Sequence, residues 1–189
     1  STQAKTLFPY TTLFRSGLVK KIDYRPLVAG KPVLVIVDMQ PRFQASHDPA
    51  VLAGVAEAIR GAKARQEPIV VLEFAIKGMI PPVYSPTHKS LTDILEDPAD
   101  PAFWSLKFKF TVGGAREVLI ACKDFGFADT HFRVCGVNTS QCVYETALGL
   151  ANKRPGCRVE VLSAAVNDKD DNGDPWLPYE NVRSLIQVV

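Results

Sequence analysis

Several features that would point directly to a function are missing from this chain of 189 residues. Its four cysteines never occur as C-x-x-C and its three histidines are scattered, so neither a zinc site nor a disulfide framework is expected. No glycine-rich phosphate-binding motif follows an apolar run, so a nucleotide cofactor is not indicated. The longest apolar runs are as short as strands, which predicts no membrane span.

Net charge is also small, because 22 basic residues face 20 acidic ones and leave +2 at pH 7. There is no basic block and no acidic tail, so contact with nucleic acid or a membrane surface is not expected. Free thiols without a recognisable secretory signal favour a reducing, cytoplasmic location. The hydrophobic share of 47% is ordinary for a globular chain.

The amino-terminal end needs separate treatment. The piece 7–16, LFPYTTLFRS, resembles translated sequencing-adapter sequence. We therefore set residues 1–20 apart as an N-terminal segment that is expected to be non-native or poorly ordered. Residues 21–189 are predicted to form a single domain, since their length suits one α/β core.

Apolar runs and helical periodicities alternate along that domain. Predicted strands cover 32–37, 69–74, 103–110, 132–137, 157–162 and 186–189, and predicted helices cover 50–66, 89–96, 115–124, the stretch after Cys142, and 179–185. This alternation predicts an α/β fold with a doubly wound, mostly parallel sheet of about six strands and helices on both faces. The expected strand order is 3-2-1-4-5-6, a Rossmann-like three-layer arrangement in which ligands bind beyond the carboxyl ends of the strands.

The stretch Phe132–Leu150 contains a cysteine in an unusual place. An apolar strand is followed by a short polar turn, and Cys142 then opens the next helical pattern. A helix start can lower the pKa of a thiol to about 3.5–7.5, which would activate a nucleophile. A buried structural cysteine is the other interpretation, and the stretch alone leaves both open. Thr139 or Ser140 is expected to cap this helix.

The first and fourth predicted strands are neighbours at the point where the strand order reverses. Asp38 closes the first strand, so the fold prediction brings its carboxylate close to Cys142 and makes it a candidate proton acceptor. A cation could support both groups. Lys107 and Lys109 share one face of the third strand, and the residue pattern leaves either as a candidate.

Three segments resemble the isochorismatase-like cysteine hydrolases, a family that includes nicotinamidases and other amidases. They are VLVIVDMQPRF (33–43), KFTVGGAREV (109–118) and VCGVNTSQCVYETA (134–147). The resemblance runs in order and spacing over the chain after Lys31. It selects Lys109 over Lys107 and implies a triad with Asp38 as base, Lys109 as ionic support and Cys142 as nucleophile.

The resemblance also implies an oxyanion hole from the backbone of Asn138 and Cys142, shaped by a cis peptide at Val137–Asn138. Nicotinamidases carry an Asp-x-His for a metal, and this chain has none, so no metal and no cofactor is expected. The expected partners are a small-molecule substrate and further copies of the chain, in a homo-oligomer that is a dimer or tetramer. Phe43, Phe74 and Tyr84 are candidates for substrate contact, with packing in the core as the alternative.

These features favour a hydrolase that cleaves a small amide or related C–N bond through a thioester on Cys142. A non-catalytic scaffold that retains the triad is one rival. A thiol redox sensor that uses Cys142, with Cys135 as its resolving partner, is another.

Overall fold

The computed structural model of the protein describes residues 29–76, 85–100, 102–168 and 174–189. The separate N-terminal segment lies outside these ranges. So does the centre of the loop between the second strand and the next helix, including Tyr84. No helix in the described ranges is long and apolar enough to cross a membrane.

Six strands and five α-helices build the described part of the chain. The strands are β1 (Val33–Val37), β2 (Ile69–Phe74), β3 (Trp104–Lys109), β4 (His131–Val137), β5 (Arg158–Asn167) and β6 (Gln187–Val188). The helices are α1 (Pro49–Ala64), α2 (Lys89–Leu95), α3 (Ala115–Phe125), α4 (Tyr144–Lys153) and α5 (Leu177–Glu180), with a short 3₁₀ turn at Gln44–His47 and a π-helical turn at Thr139–Val143.

The strands form one sheet in the order β3-β2-β1-β4-β5-β6, and every neighbouring pair is parallel. The predicted fold class and strand order are thereby confirmed. The order reverses between β1 and β4, where Val37 lies opposite Gly136. In a doubly wound sheet this reversal opens a crevice at the carboxyl ends of the strands. Asp38 and Asn138, the residues that directly follow β1 and β4, lie at the edge of this crevice.

Two apolar cores lie on opposite faces of the sheet. The continuous apolar run of β1 serves both: Val33, Val35 and Val37 join the core under α3 and α4, whereas Leu34 and Ile36 join the core under α1 and α2. A strand buried on both faces gains apolar burial from every residue, which is why β1 does not alternate with polar positions. All five of its residues are buried.

Helix α1 begins where the sequence indicated. The Asp48 side chain accepts a hydrogen bond from Ala50 N at 2.8 Å, and Pro49 occupies the first helical position. This cap satisfies one of the free N–H groups at the helix start, and proline tolerates the lack of a partner there.

Two elements have an end that differs from the prediction by more than two residues. Strand β5 runs on to Asn167, five residues beyond its predicted end, after a register shift between Val134 and Gly136 of the partner strand. The last helix covers only Leu177–Glu180 and ends earlier than predicted. The longer β5 comes from a tertiary contact, because Asn138 N donates to Asn167 O and keeps β5 paired to its end.

Candidate active site

A buried ion pair joins β1 to β3 at the carboxyl edge of the sheet. Lys109 Nζ lies 2.8 Å from Asp38 Oδ2, and both side chains are fully excluded from solvent. The lysine also donates to the carbonyls of Thr111 at 3.2 Å and Val112 at 2.8 Å. Neither oxygen of Asp38 accepts a hydrogen bond of ordinary angular geometry from the described residues. The contact is therefore an ion pair whose angle departs from that of an ideal hydrogen bond.

The backbone at Asp38 and at Gly114 allows the Asp38 carboxylate and the Lys109 ammonium to lie together at the crevice. Asp38 has a φ of 54°, in the left-handed region that few non-glycine residues adopt, and this turns the chain over the sheet edge directly after β1. Gly114 lies against Lys109, and a Cβ at Gly114 would crowd the lysine Cδ at 3.3 Å as well as Leu72. Glycine at this position lets α3 begin close to the lysine side chain.

Lys107 lies on the same face of β3 but belongs to a different environment. Its Nζ lies 2.9 Å from Asp124 Oδ2, on a side chain that is 49% exposed. The two-residue step along β3 therefore separates a half-exposed structural ion pair from the buried pair at the crevice. Of the two candidate lysines, Lys109 is the one beside Asp38.

Cys142 lies in the π-helical turn that connects β4 to α4. It is 8% exposed, and its thiol interacts with both the Asp38 carboxylate and the Lys109 ammonium. The chain therefore brings together the three side chains that the sequence singled out. One part of the local prediction was wrong, because neither Thr139 nor Ser140 caps this turn with its side chain. The Asp168 carboxylate accepts from Ser140 N at 3.0 Å instead, a contact across the crevice that local sequence does not reveal.

Thr146, one turn into α4, fixes the position of the cysteine backbone. Its hydroxyl donates to Cys142 O at 2.6 Å and accepts from Gly114 N at 3.0 Å. The side chain is fully buried, so both bonds form away from water. Thr146 thus ties the cysteine turn to the start of α3, next to the lysine. Sequence reasoning missed it because a threonine inside a helical pattern carries no distinctive signal.

Burial dominates the proton affinities of the triad. It raises the pKa of Asp38 above its ordinary value, with Lys109 opposing it and Cys142 and Arg42 opposing it further. Burial, together with the Asp38 charge, raises the pKa of the Cys142 thiol to about 11, and Lys109 only partly offsets this. The direction of this shift runs against a thiolate preformed by a helix start. It favours a protonated thiol, whose proton a base takes during reaction.

The backbone at Asn138 differs from its expected role. Asn138 adopts a φ of 63° and its N–H donates to Asn167 O at 2.9 Å. Because this N–H is already bonded to β5, it is not free to bind an oxyanion. Of the two predicted oxyanion donors, Asn138 and Cys142, the Cys142 backbone N–H therefore remains as the candidate. Gly136, with a φ of 123°, packs so closely on Val37 that a Cβ there would overlap its backbone.

An aromatic wall flanks the triad. The rings of Phe43 and Phe74 meet edge to face with centroids 6.4 Å apart, and Lys109 Nζ lies 5.2 Å from the Phe74 centroid. The guanidinium of Arg42 lies over both rings, at 5.2 Å and 5.4 Å. Two of the three expected substrate-contact residues are thus together beside the triad, and the third, Tyr84, lies outside the described residues. Arg42 was missed, although it directly precedes Phe43.

Two further buried polar residues hold β2 and its following loop. The Gln40 amide exchanges hydrogen bonds with the Phe74 backbone, accepting from its N–H at 2.8 Å and donating to its carbonyl at 3.2 Å. Glu73 accepts from Thr87 N at 2.6 Å and Thr87 Oγ1 at 2.9 Å. Burial raises the Glu73 pKa, with Asp38 adding to the rise. These bonds position the aromatic wall without contacting the triad themselves.

Surface grooves lie elsewhere. One of about 480 Å³ runs between α3 and α4, and one of about 600 Å³ runs along β6 and α5. Neither is lined by Asp38, Lys109 or Cys142. The candidate site is therefore identified by the contacts among its three side chains and not by the volume of a groove.

Comparison with known proteins identifies solved structures that share the fold of this chain. No family model matches the chain, and no curated sequence matches it. Solved structures do: an isochorismatase-like hydrolase of Alkaliphilus metalliredigens is 19% identical with a TM-score of 0.62, over 85% of this chain and 94% of that one. The chain has the isochorismatase-like hydrolase fold. This agrees with the three segments that resemble that family.

Two further neighbours show the range of proteins with this isochorismatase-like fold. A pyrazinamidase of Pyrococcus horikoshii, solved in complex with zinc, is 24% identical with a TM-score of 0.60, over 84% of this chain and 98% of that one. A ribonuclease of Caenorhabditis elegans, MAR1, is 17% identical with a TM-score of 0.64, over 84% and 76%. At these identities the likeness is one of fold.

The zinc of the pyrazinamidase prompts a check of the donor set here. Within the described ranges, no three His, Cys, Asp or Glu side chains group closely enough to hold a metal ion. At the end of β2 this chain carries Glu73, Phe74 and Ala75, of which only the first has a side chain with a ligand atom. Both oxygens of that carboxylate are buried, and one is bonded by Thr87. The side chains in the described ranges therefore do not form a metal site, and no metal enters the chemistry below.

Proposed function

We propose that the protein is a hydrolase of a small amide or a related C–N bond, and that Cys142 forms a thioester with the acyl group. The observation that carries the proposal is the contact of the Cys142 thiol with a fully buried Asp38–Lys109 pair. A carboxylate held ionised in a dry site beside a protonated thiol is arranged for proton transfer. The amidase name of one structural neighbour is consistent with this chemistry.

The proposed reaction has two halves. In the first, Asp38 takes the thiol proton as Cys142 Sγ attacks the carbonyl carbon, and the Cys142 backbone N–H stabilises the developing oxyanion. The C–N bond then breaks, Asp38 returns the proton to the nitrogen, and ammonia or an amine leaves. In the second half, Asp38 takes a proton from water and the resulting hydroxide attacks the thioester carbonyl. The C–S bond then breaks, Asp38 returns the proton to the Cys142 thiolate, and the carboxylic acid leaves.

Lys109 has an electrostatic role in this scheme. Its charge lowers the pKa of Asp38 against the burial that raises it, and it stabilises the thiolate as it forms. Because the lysine is also bonded to two backbone carbonyls, it stays in place as the proton moves. The cis peptide at Val137–Asn138 and the homo-oligomer expected from sequence remain predictions.

The redox alternative is less well supported. Cys135 belongs to the core under α1 and α2, whereas Cys142 belongs to the core on the other face of the sheet. A disulfide between them would have to pass through the sheet. All four cysteines are free thiols.

A release assay tests the proposed activity. A panel of small primary amides and hydroxamates is incubated with the wild-type protein and with Cys142→Ala, and ammonia or hydroxylamine is measured. We expect release by the wild type alone. An oligoribonucleotide is included because one neighbour is a ribonuclease. Cleavage of RNA with no amide turnover, or amide turnover that survives in Cys142→Ala, would overturn the proposal.

A further inference from the structure

The wall beside the triad contains a cation with no role in the proposed chemistry. Arg42 is exposed at the mouth of the site, directly after the Asp38 turn, and its guanidinium lies over the rings of Phe43 and Phe74. Arginine stacks on aromatic faces through its plane, so two such contacts restrain the orientation of the group. The N–H groups at its edge stay available for a planar anion.

Arg42 also differs from most other arginines of the protein in its partners. Arg65, Arg133 and Arg154 each lie within 4 Å of a carboxylate. Arg42 has no ion pair with any residue in the described ranges. An arginine that is held by its faces and lacks a carboxylate partner is suited to receive one from a ligand.

Arg42 and Lys109 both contact the ring of Phe74, which shows how close Arg42 lies to the triad. Phe74 has the guanidinium at 5.4 Å from its centroid and Lys109 Nζ at 5.2 Å. The cation is thus one aromatic ring away from the lysine that pairs with Asp38. Its charge acts on that carboxylate, since Arg42 contributes to lowering the pKa of Asp38.

Charge balance around the crevice indicates the sign of the ligand. Asp38 and Lys109 compensate each other. Among the described acids on this edge, Glu73 is buried under Thr87 and is 3% exposed, and Asp168 accepts a hydrogen bond from Ser140 N. Arg42 therefore adds an unpaired positive charge beside the aromatic rings, which favours an anionic ligand there and disfavours a cationic one.

We infer that the substrate is an amide that also carries a carboxylate, bound by the Arg42 guanidinium while the amide carbonyl reaches Cys142. The inference rests on the proposed amidase function and names its substrate class. A guanidinium presents two parallel N–H donors that match the two oxygens of a carboxylate. The aromatic wall between the two ends would contact the short apolar linker of such a molecule. Arg42 would then determine specificity rather than take part in bond breaking.

Paired amides test this inference. Succinamate carries one amide and one carboxylate, and succinamide replaces the carboxylate by a second, neutral amide. We expect the ratio of kcat/KM for succinamate over succinamide to exceed one in the wild type. It should fall about tenfold to a hundredfold in Arg42→Gln, mainly through KM, because a charge-assisted bidentate contact is lost. Arg42→Lys should recover part of the ratio, since it keeps the charge without the fork.

The control removes an arginine elsewhere. Arg60 lies on α1, is 59% exposed and has a weak contact to Glu57 at 3.9 Å, so Arg60→Gln should leave the ratio unchanged. A ratio that is unchanged in Arg42→Gln, or that falls equally in Arg60→Gln, would overturn the inference while leaving amidase activity intact.

If neither amide is hydrolysed, the proposed activity on carboxylate-bearing amides is contradicted. A binding experiment then tests separately whether Arg42 binds a carboxylate. Succinate is added to the Cys142→Ala protein and the shift in Tm is measured. We expect a stabilising shift that disappears when Arg42→Gln is added to Cys142→Ala. Absence of any shift, or a shift that survives the second substitution, would refute anion binding by Arg42.

Discussion

Asp38 has to carry a charge although its side chain is fully buried. Burial alone would favour the neutral acid, and its two oxygens have no well-directed hydrogen bond from the described residues. Lys109, at 2.8 Å, supplies the compensating charge. Removing one partner of a buried ion pair leaves the other uncompensated, which is far more costly than losing an exposed pair.

This asymmetry gives a matched test on one strand. Lys109→Met should lower the free energy of unfolding by about 3–5 kcal/mol because Asp38 loses its buried counterion. Lys107→Met, two residues earlier, should cost about 1 kcal/mol or less, since its partner Asp124 is half exposed. Urea unfolding at pH 7 measures both. Equal losses would contradict the assignment of Lys109 to the buried pair.

The pH dependence of turnover follows from the same residues. The active form needs Asp38 ionised and Cys142 protonated. Because the pKa of Asp38 is raised from 3.8, kcat/KM should fall on acidification at a pH above that value. Because the thiol pKa is about 11, activity should persist through the neutral range and be lost only near pH 11. The two groups are coupled, so the limbs describe the pair.

The measurement is a profile of kcat/KM, with circular dichroism at each pH to separate unfolding from titration. His47→Gln is the control, because an exposed histidine should not shift the acid limb. A profile that declines above pH 8, or one whose acid limb moves with His47, would contradict the assignment.

At this scale the sequence predicted which residues meet but not their protonation. Asp38, Lys109 and Cys142 were identified from strand ends and from family resemblance, and their side chains do lie together. The raised pKa of the thiol was not foreseen. The helix-start argument considers local dipoles, whereas burial in the crevice depends on chain segments far apart in sequence.

The elements around Cys142 are held by contacts between helices. The cysteine lies in a π-helical turn rather than in the first turn of an α-helix, and such turns are rare and occur often at functional sites. The turn is fixed from below by Thr146 and from the side by Tyr179, whose hydroxyl donates to Thr139 O at 2.8 Å.

Thr146 provides a test of this support. Thr146→Val keeps the shape but removes the hydroxyl, which leaves Gly114 N–H and Cys142 C=O without that partner in a buried place. We expect a loss of about 1–3 kcal/mol in the free energy of unfolding, together with a drop in kcat. Thr146→Ser retains the hydroxyl and should recover most of both. Full kcat in Thr146→Val would show that the bridge does not position the cysteine.

Element existence was predictable from apolar periodicity, and element ends were less so. The runs in 33–37 and 69–74 are so apolar that strands buried on both faces were the clear prediction. The extension of β5 to Asn167 and the π-helical turn depend on pairing with Asn138 and on the Asp168 carboxylate. Those partners lie about thirty residues away in the chain, beyond the reach of local patterns.

For the whole molecule, the carboxyl ends and the amino ends of the strands carry different groups of charged residues. The triad occupies the carboxyl edge, as the strand order 3-2-1-4-5-6 leads one to expect. The amino edge carries an ion cluster around Glu160, which lies 3.2 Å from His131 Nε2 and 3.7 Å from Arg133 Nε, with Arg158 on its other oxygen. Arg133 extends this cluster to Glu67 at 3.3 Å.

Separation of the edges predicts separation of stability from activity. Glu160→Gln removes a largely buried charge that Arg133 and Arg158 share, and should cost about 1–2 kcal/mol of unfolding free energy because both guanidinium groups are partly solvated. It should leave kcat/KM unchanged. Glu57→Gln, from an exposed pair on α1, is the control and should change neither. Loss of kcat/KM without loss of stability in Glu160→Gln would contradict this separation.

The central claim is that Cys142 becomes acylated during amide hydrolysis, and one measurement tests it directly. The wild-type protein is quenched in acid while turning over an amide that it hydrolyses, then digested and analysed by mass spectrometry. The account predicts a mass increase equal to the acyl group on the peptide containing Cys142, absent from the other three cysteines and from Cys142→Ala. Steady turnover with no acyl group on Cys142, or turnover retained by Cys142→Ala, would contradict it.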